Sequence, residues 1–243
     1  MLSKCQAIVI HTINYSESSV ILKCFTSDYG LQSYMINGVR GRKGAIRSSQ
    51  LLPLTLLELD TYHQQNKNLQ RIKELKCIPV LHHIHFDIIK SSIGMFLAEL
   101  LNKVLSEENQ QDKPLFDFLF NSIQILDLSA SNVSNFPCYF MLHLSKFLGF
   151  MPKGNYSETH NSFNKIEGVY DEWFIGAPNQ IEPELSEKLF RLQESNFDSF
   201  HLIKLNTQQR AELLDILISY YQSHLATFSN LKSHKVLAEV LGS

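Results

Sequence analysis

Cysteine is sparse and poorly placed for cross-linking. Cys5, Cys24, Cys77 and Cys138 stand far apart and form no C-x-x-C pair, which argues against both a disulfide framework and a thiolate zinc site. They are expected to be reduced, mostly buried thiols. Long apolar runs are missing as well. No stretch matches the roughly twenty apolar residues of a membrane span, because even Ser92 to Leu105 carries Glu99 and Lys103. The run Ala7 to Ile10 is too short for a signal-peptide core and has no small-residue cleavage site. A cytoplasmic protein without membrane association is the expectation. There is no G-x-S-x-G elbow, no Walker loop and no dinucleotide fingerprint, so nothing points to an enzyme, and no cofactor is implied. Internal repeats and low-complexity tracts are also lacking.

Acidic residues are scarce in one half only. Residues 1 to 80 hold ten Lys or Arg against five Asp or Glu, whereas the rest of the chain holds twelve against nineteen; the balances of +5 and -7 sum to the formal net charge of -2. Such asymmetry suggests two units with different partners. The positive charge peaks in GVRGRKGAIRSS, residues 38 to 49, where Arg40, Arg42, Lys43 and Arg47 stand among three glycines without one acid. Clustered cations can meet successive phosphates, and glycines let the backbone approach a ligand closely. Binding of this kind would be electrostatic and largely indifferent to sequence.

Short apolar segments at about 5–13, 18–26, 31–37, 52–62 and 68–77 alternate with turn signals, as in a small all-β unit. Five strands in about eighty residues suit a five-stranded OB barrel, and an SH3-like barrel fits the same count. Aromatic faces help such barrels hold single strands. Tyr15, Phe25, Tyr29, Tyr34 and Tyr62 lie in this region, alternation should bury about half of them, and Tyr34 and Tyr29 come nearest the basic loop in strand order. Lys23 and Arg71 add to a nucleic-acid contact if their strand faces point toward the groove.

From residue 81 the period changes. Phe86, Ile89, Ile93, Phe96, Leu97, Leu100, Leu101 and Val104 recur at steps of three and four, the mark of an amphipathic helix. Further helices are expected at about 114–128, opened by Pro114, at 135–149, closed by Gly149, at 184–194, at 207–226 and in the last dozen residues. Residues 150–183 read as an irregular insert containing a short hairpin. The expected layout is α+β: a barrel over 1–80 and a helical domain over 81–243.

The run HHIHFD (His82, His83, His85, Asp87) resembles a metal site only superficially. Adjacent histidines on a helix diverge by about 100 degrees, and no His/Glu pair has the H-E-x-x-H spacing. A solvated helix start is the simpler reading. His143, amid Phe140, Leu144 and Phe147, reads as a packing residue.

The N-terminal eighty residues are similar in order and spacing to the N-terminal domain of the RecO family of bacterial DNA-repair proteins. The resemblance is carried by the apolar first strand, Tyr15-Ser16-Glu17 before the second, Phe25-Thr26 and Gly30 ahead of the third, Asn37-Gly38-Val39-Arg40 with its basic loop, and Leu52-Pro53. Phe147-Leu148-Gly149-Phe150 and Leu231-Lys232-Ser233 resemble parts of the family's helical domain. The resemblance implies an OB-fold recombination mediator rather than an enzyme. It would bind single- and double-stranded DNA and anneal complementary strands. With RecR, it would load RecA onto strands coated by single-stranded-DNA-binding protein, recognised through that protein's acidic C-terminal tail. Two departures stand out. The four-cysteine zinc insert of many members has no counterpart, since residues 150–183 contain no cysteine. The middle helix, basic in some relatives, offers Asn135, Cys138 and Tyr139 early on and only Lys146 as a cation. A tail ending in an aromatic residue needs an apolar groove beside a cation, for which Lys146 with Leu142 and Phe147, or Lys232 and Lys235, are the candidates. The rival reading is an OB-fold protein-interaction module that binds no DNA.

Overall fold

The computed structural model describes residues 2–39, 46–64, 67–105, 111–130, 132–229 and 231–242. Its first five strands, β1 (Leu2–Asn14), β2 (Val20–Thr26), β3 (Gly30–Ile36), β4 (Leu56–Tyr62) and β5 (Leu69–Cys77), form a closed barrel in the order β1-β2-β3-β5-β4. All pairings are antiparallel except β3 with β5, where Ser33 to Met35 run parallel to Leu69 to Arg71. A barrel of consecutive hairpins has no such pair, because parallel neighbours require a crossover. The topology is therefore that of an OB fold rather than an SH3-like barrel.

Period-2 alternation fills the barrel with Cys5, Ala7 and Val9 from β1, Leu22 and Cys24 from β2, Tyr34 and Ile36 from β3, Leu57 and Leu59 from β4, and Leu75 from β5. Burial pushes the Cys5 thiol up to about 12 and the Cys24 thiol higher still; both act as small apolar groups. Strand β4 starts later than the alternation predicts. Leu54 takes a left-handed φ of 64° and Thr55 donates its N–H to the Leu52 carbonyl at 3.1 Å, so residues 52–55 form a turn.

The apolar run in β1 is buried on both faces. Ile8 and Ile10 point out of the barrel and are nevertheless buried, as is Phe25 on β2. Cover comes from two helices, α1 (Ile88–Val104), which packs on β1, and α2 (Lys113–Leu128), whose Phe116 ring lies 6.3 Å from that of Phe25. The chain accordingly divides into compact units at Met1–Leu128 and Ser129–Ser243, the first of which holds the barrel of residues 1–80 together with α1 and α2. An apolar barrel exterior must be shielded from water, and α1 and α2 do this within the first unit.

The second unit holds α3 (Phe136–Phe147), the hairpin β6 (Ser162–Asn164) and β7 (Val169–Asp171), α4 (Pro183–Glu194), α5 (Thr207–His224) and α6 (Ser233–Gly242). Gly149 ends α3 as expected: with φ +86°, its N–H bonds to Lys146 O at 3.3 Å and that of Phe150 to Ser145 O at 3.0 Å, the two bonds of a Schellman cap. Phe163 and Tyr170 of the insert are buried against the helices, Tyr170 meeting Phe190 of α4 edge-on and Phe163 lying 5.5 Å from Tyr220 of α5.

Gly168 closes that hairpin at φ +70°, and a Cβ there would overlap the Tyr220 hydroxyl. That hydroxyl donates to Phe150 O at 2.5 Å. Gly168→Ala should therefore lower stability by about 2 kcal/mol, from left-handed strain and forced displacement of a buried ring, measurable as a lower urea midpoint. A variant as stable as the parent would show that Tyr220 moves aside without cost.

Candidate nucleic-acid interface

Lys23 lies between inward-facing Leu22 and Cys24, so strand alternation sends it outward, opposite His11 on β1 and Ser33 on β3. Arg71 follows buried Gln70 and precedes Ile72, which packs on the core; it is exposed, opposite Tyr62 on β4 and Met35 on β3. Both cations thus share the outer face of β2, β3 and β5. Strand spacing and rise put them about 12 Å apart, two strands over and two residues along. The same face carries Ile13 and Leu69 partly exposed.

The basic loop starts and ends at one edge of this face. At its start, Val39 donates its N–H to Ser18 O at 2.9 Å, and the Ser19 hydroxyl donates to Asn37 Oδ1 at 3.0 Å. These bonds tie it to the β1–β2 turn, where Tyr15 is 65% exposed. At its end, exposed Arg47 donates its N–H to Gln50 Oε1 at 2.9 Å, opening a 3-10 turn over Ser48–Leu51. The Leu51 carbonyl then accepts from the Thr12 hydroxyl at 2.8 Å. Arg40, Arg42 and Lys43 lie outside the described residues. Among the described residues, Lys23, Arg47 and Arg71 form no ion pair, whereas Lys4 pairs with Glu58 at 2.8 Å and Lys76 with Glu74 at 3.2 Å.

The aromatics sort differently from their sequence order. Tyr34 cannot stack on a base: it is fully buried beside Cys5 inside the barrel, on the same strand face as Ile36. Alternation had left open which half of the rings turns inward, and Tyr34 is in that half. Tyr29 is committed to His63, ring on ring at 3.8 Å and 13°. Phe25 is covered by Phe116. Tyr15 and Tyr62 remain exposed.

The HHIHFD run serves the fold. The carboxylate of Asp127, itself 1% exposed, accepts the backbone N–H groups of His82, His83 and Ile84 at 2.9, 2.7 and 2.8 Å. Asp87 caps α1 by accepting from Lys90 N, and His85 Nε2 lies 3.3 Å from the Thr55 hydroxyl. Among the described residues no group of three or more His, Cys, Asp or Glu is placed to hold a metal.

In the second unit, Lys146 is exposed near the end of α3, but Leu142 is fully buried and lines no surface groove beside it. Lys232 and Lys235 are exposed before and on α6. An apolar groove does exist between α3, α5 and α6, lined by Pro137, Cys138, Leu214, Ala238 and Leu241 with Arg210 at its side. Lys235 sits one turn before Ala238, on the same flank of the helix. Arg210 donates to Leu205 O at 2.8 Å. It went unnoticed in the sequence because TQQRAELL looks like any solvated first turn. Cys138, buried in this wall, has its thiol raised to about 12 by desolvation.

No helix among the described residues is long and apolar enough to cross a membrane. Residues 1–80 match the model for the recombination protein O N terminal domain, and residues 85–234 that for the recombination protein O C terminal domain. The DNA repair protein RecO of Flavobacterium psychrophilum is 36% identical over 239 residues, 98% of each chain. Those of Bacteroides fragilis and Christiangramia forsetii are 33% identical over 241 residues and 34% over 243, covering 99% and 100% of each chain. A barrel of OB topology followed by helices, matched by both domain models and by full-length relatives, means that the chain belongs to the RecO family of DNA repair proteins.

Proposed function

We propose that this protein is a cytoplasmic recombination mediator. It binds single- and double-stranded DNA through its barrel and anneals complementary strands. Together with RecR it loads RecA onto DNA coated by single-stranded-DNA-binding protein. The observation that carries the reading is the outer face of β2, β3 and β5, where Lys23 and Arg71 stand without ion-pair partners among the described residues, next to the two described ends of the basic loop. The loop cations Arg40, Arg42, Lys43 and Arg47 contact phosphates. Annealing needs charge neutralisation on two strands and no nucleophile, so the role asks for no catalytic residue. The acidic tail of single-stranded-DNA-binding protein docks on the second unit, in the groove beside Arg210 with Lys235 one turn before Ala238, while Lys232 and Lys146 add positive potential.

Two measurements test this. Fluorescence anisotropy should show a labelled single-stranded oligonucleotide binding with an affinity that falls linearly with salt on logarithmic axes. A stopped-flow assay of complementary strands should show faster pairing with protein present. Absence of binding at low salt would overturn the reading in favour of a protein-interaction module.

A further inference from the structure

Around Arg71 lies a small pocket lined also by Tyr62, Gln64, Lys67, Leu69 and Gln70. It is built at the joint between β4 and β5, and one residue organises it. Gln70, buried and pointing inward, donates its amide N–H groups to Gln64 O at 2.8 Å and Lys67 O at 2.6 Å, and its Oε1 accepts from Gln64 N at 3.0 Å. The two ends of the turn are thereby clamped. The free energy of ordering them is spent on folding rather than on binding.

The clamp displays a particular set of groups. Tyr62, 47% exposed, stands across from Arg71 in the β4–β5 register, and Leu69, 37% exposed, lies two residues before Arg71 on the same strand face. Lys67 and Arg71 are exposed cations without ion-pair partners among the described residues, and the side-chain amide of Gln64 makes no hydrogen bond among them. An open ring face, an apolar neighbour, two cations and a free amide in one place match the parts of a nucleotide: base face, sugar, flanking phosphates and base edge. The cavity measures about 60 Å³, a recess too small to enclose a whole nucleotide. A base would therefore lie on the Tyr62 ring with its edge toward the pocket.

We infer that this pocket is a nucleotide subsite for single-stranded DNA, with Tyr62 as the stacking platform, Lys67 and Arg71 on the adjoining phosphates and Gln64 at the base edge. The inference rests on the DNA-binding reading above and assigns one step of it to a place. It separates base contact from the phosphate contacts of the loop, because a ring face recognises bases and cations recognise only the backbone.

The test uses the full chain and two labelled probes in anisotropy titrations: an oligothymidylate, and an oligonucleotide of equal length that is abasic throughout. Tyr62→Ala should weaken the oligothymidylate about tenfold and leave the abasic probe unchanged, while Tyr62→Phe binds both as the parent does. Arg71→Ala should weaken both probes alike and lower the salt slope by about 0.7. Equal weakening of both probes by Tyr62→Ala, or no weakening of either, would overturn the subsite while leaving DNA binding by the parent intact. A mononucleotide that displaced the probe as well as unlabelled oligothymidylate would assign the pocket to a free nucleotide and overturn it too. No binding of either probe by the parent would remove the DNA-binding reading itself.

Discussion

A variant with Arg40, Arg42, Lys43 and Arg47 all replaced by alanine should lose about fifty-fold of the parent's salt sensitivity between roughly 50 and 200 mM salt. Each phosphate contact to a single strand contributes about 0.7 to the logarithmic slope, so four contacts give about 2.8 across a fourfold salt change. The position of the loop makes this more than a count of charges. Its described start is bonded to the β1–β2 turn through Val39 and Ser18, and its described end to β1 through Leu51 and Thr12, and both ends adjoin the face that carries Lys23 and Arg71. Those two residues are retained in the variant and should leave it a weaker affinity with a shallower slope. Anisotropy titrations across salt provide the check. As a control, Lys146, Lys232 and Lys235 replaced together by alanine remove comparable charge from the second unit and should leave the DNA slope unaltered. A parental slope in the loop variant would place the DNA contacts elsewhere.

Asp127→Ala should cost about 3 kcal/mol of stability, since three backbone N–H groups would lose a charged acceptor inside the protein. Burial alone would push this carboxyl up; the N–H groups of His82, Ile84 and His83 outweigh burial and hold it below the ordinary carboxylate value. The sign of the pH effect follows. A carboxylate with a depressed folded pKa adds stability above its unfolded value, about 3.9, and that stability is lost as pH falls through the lower folded value. The gap between parent and Asp127→Ala in urea unfolding should be full at neutral pH and shrink below about pH 4. Asp127→Asn keeps one carbonyl acceptor and no charge, so its loss should be smaller. A gap that persisted unchanged in acid would mean that packing, not the charged cap, sets the cost.

Much of the architecture was legible in the chain because its signals are local. Alternation marked the strands, Pro114 the start of α2, and Gly149, needing a positive φ, the end of α3. The charge asymmetry and the acid-free loop between Gly38 and Ser49 pointed to the barrel as the half that meets an anion. What stayed illegible depended on partners distant in sequence. Alternation divides a strand into two faces without saying which one is covered, so Tyr34 and Tyr62 were equivalent until β3 and β4 closed the barrel and put Tyr34 inside.

The place of α1 and α2 was decided in the same way. Apolar period identified α1 and α2 as helices, but only the buried outer face of β1 and β2 decided that they complete the first unit. Asp127 and Arg210 were two more charges on helical patterns. Their roles arose when folding brought Asp127 to backbone groups about 45 residues away and placed Arg210 beside a groove built from three helices. The sequence by itself determined most of the elements and the charged loop, because propensity, alternation and net charge act over a few residues. Tertiary structure alone decided which rings and cations share a surface, because a side chain's exposure depends on what packs against it from the rest of the chain.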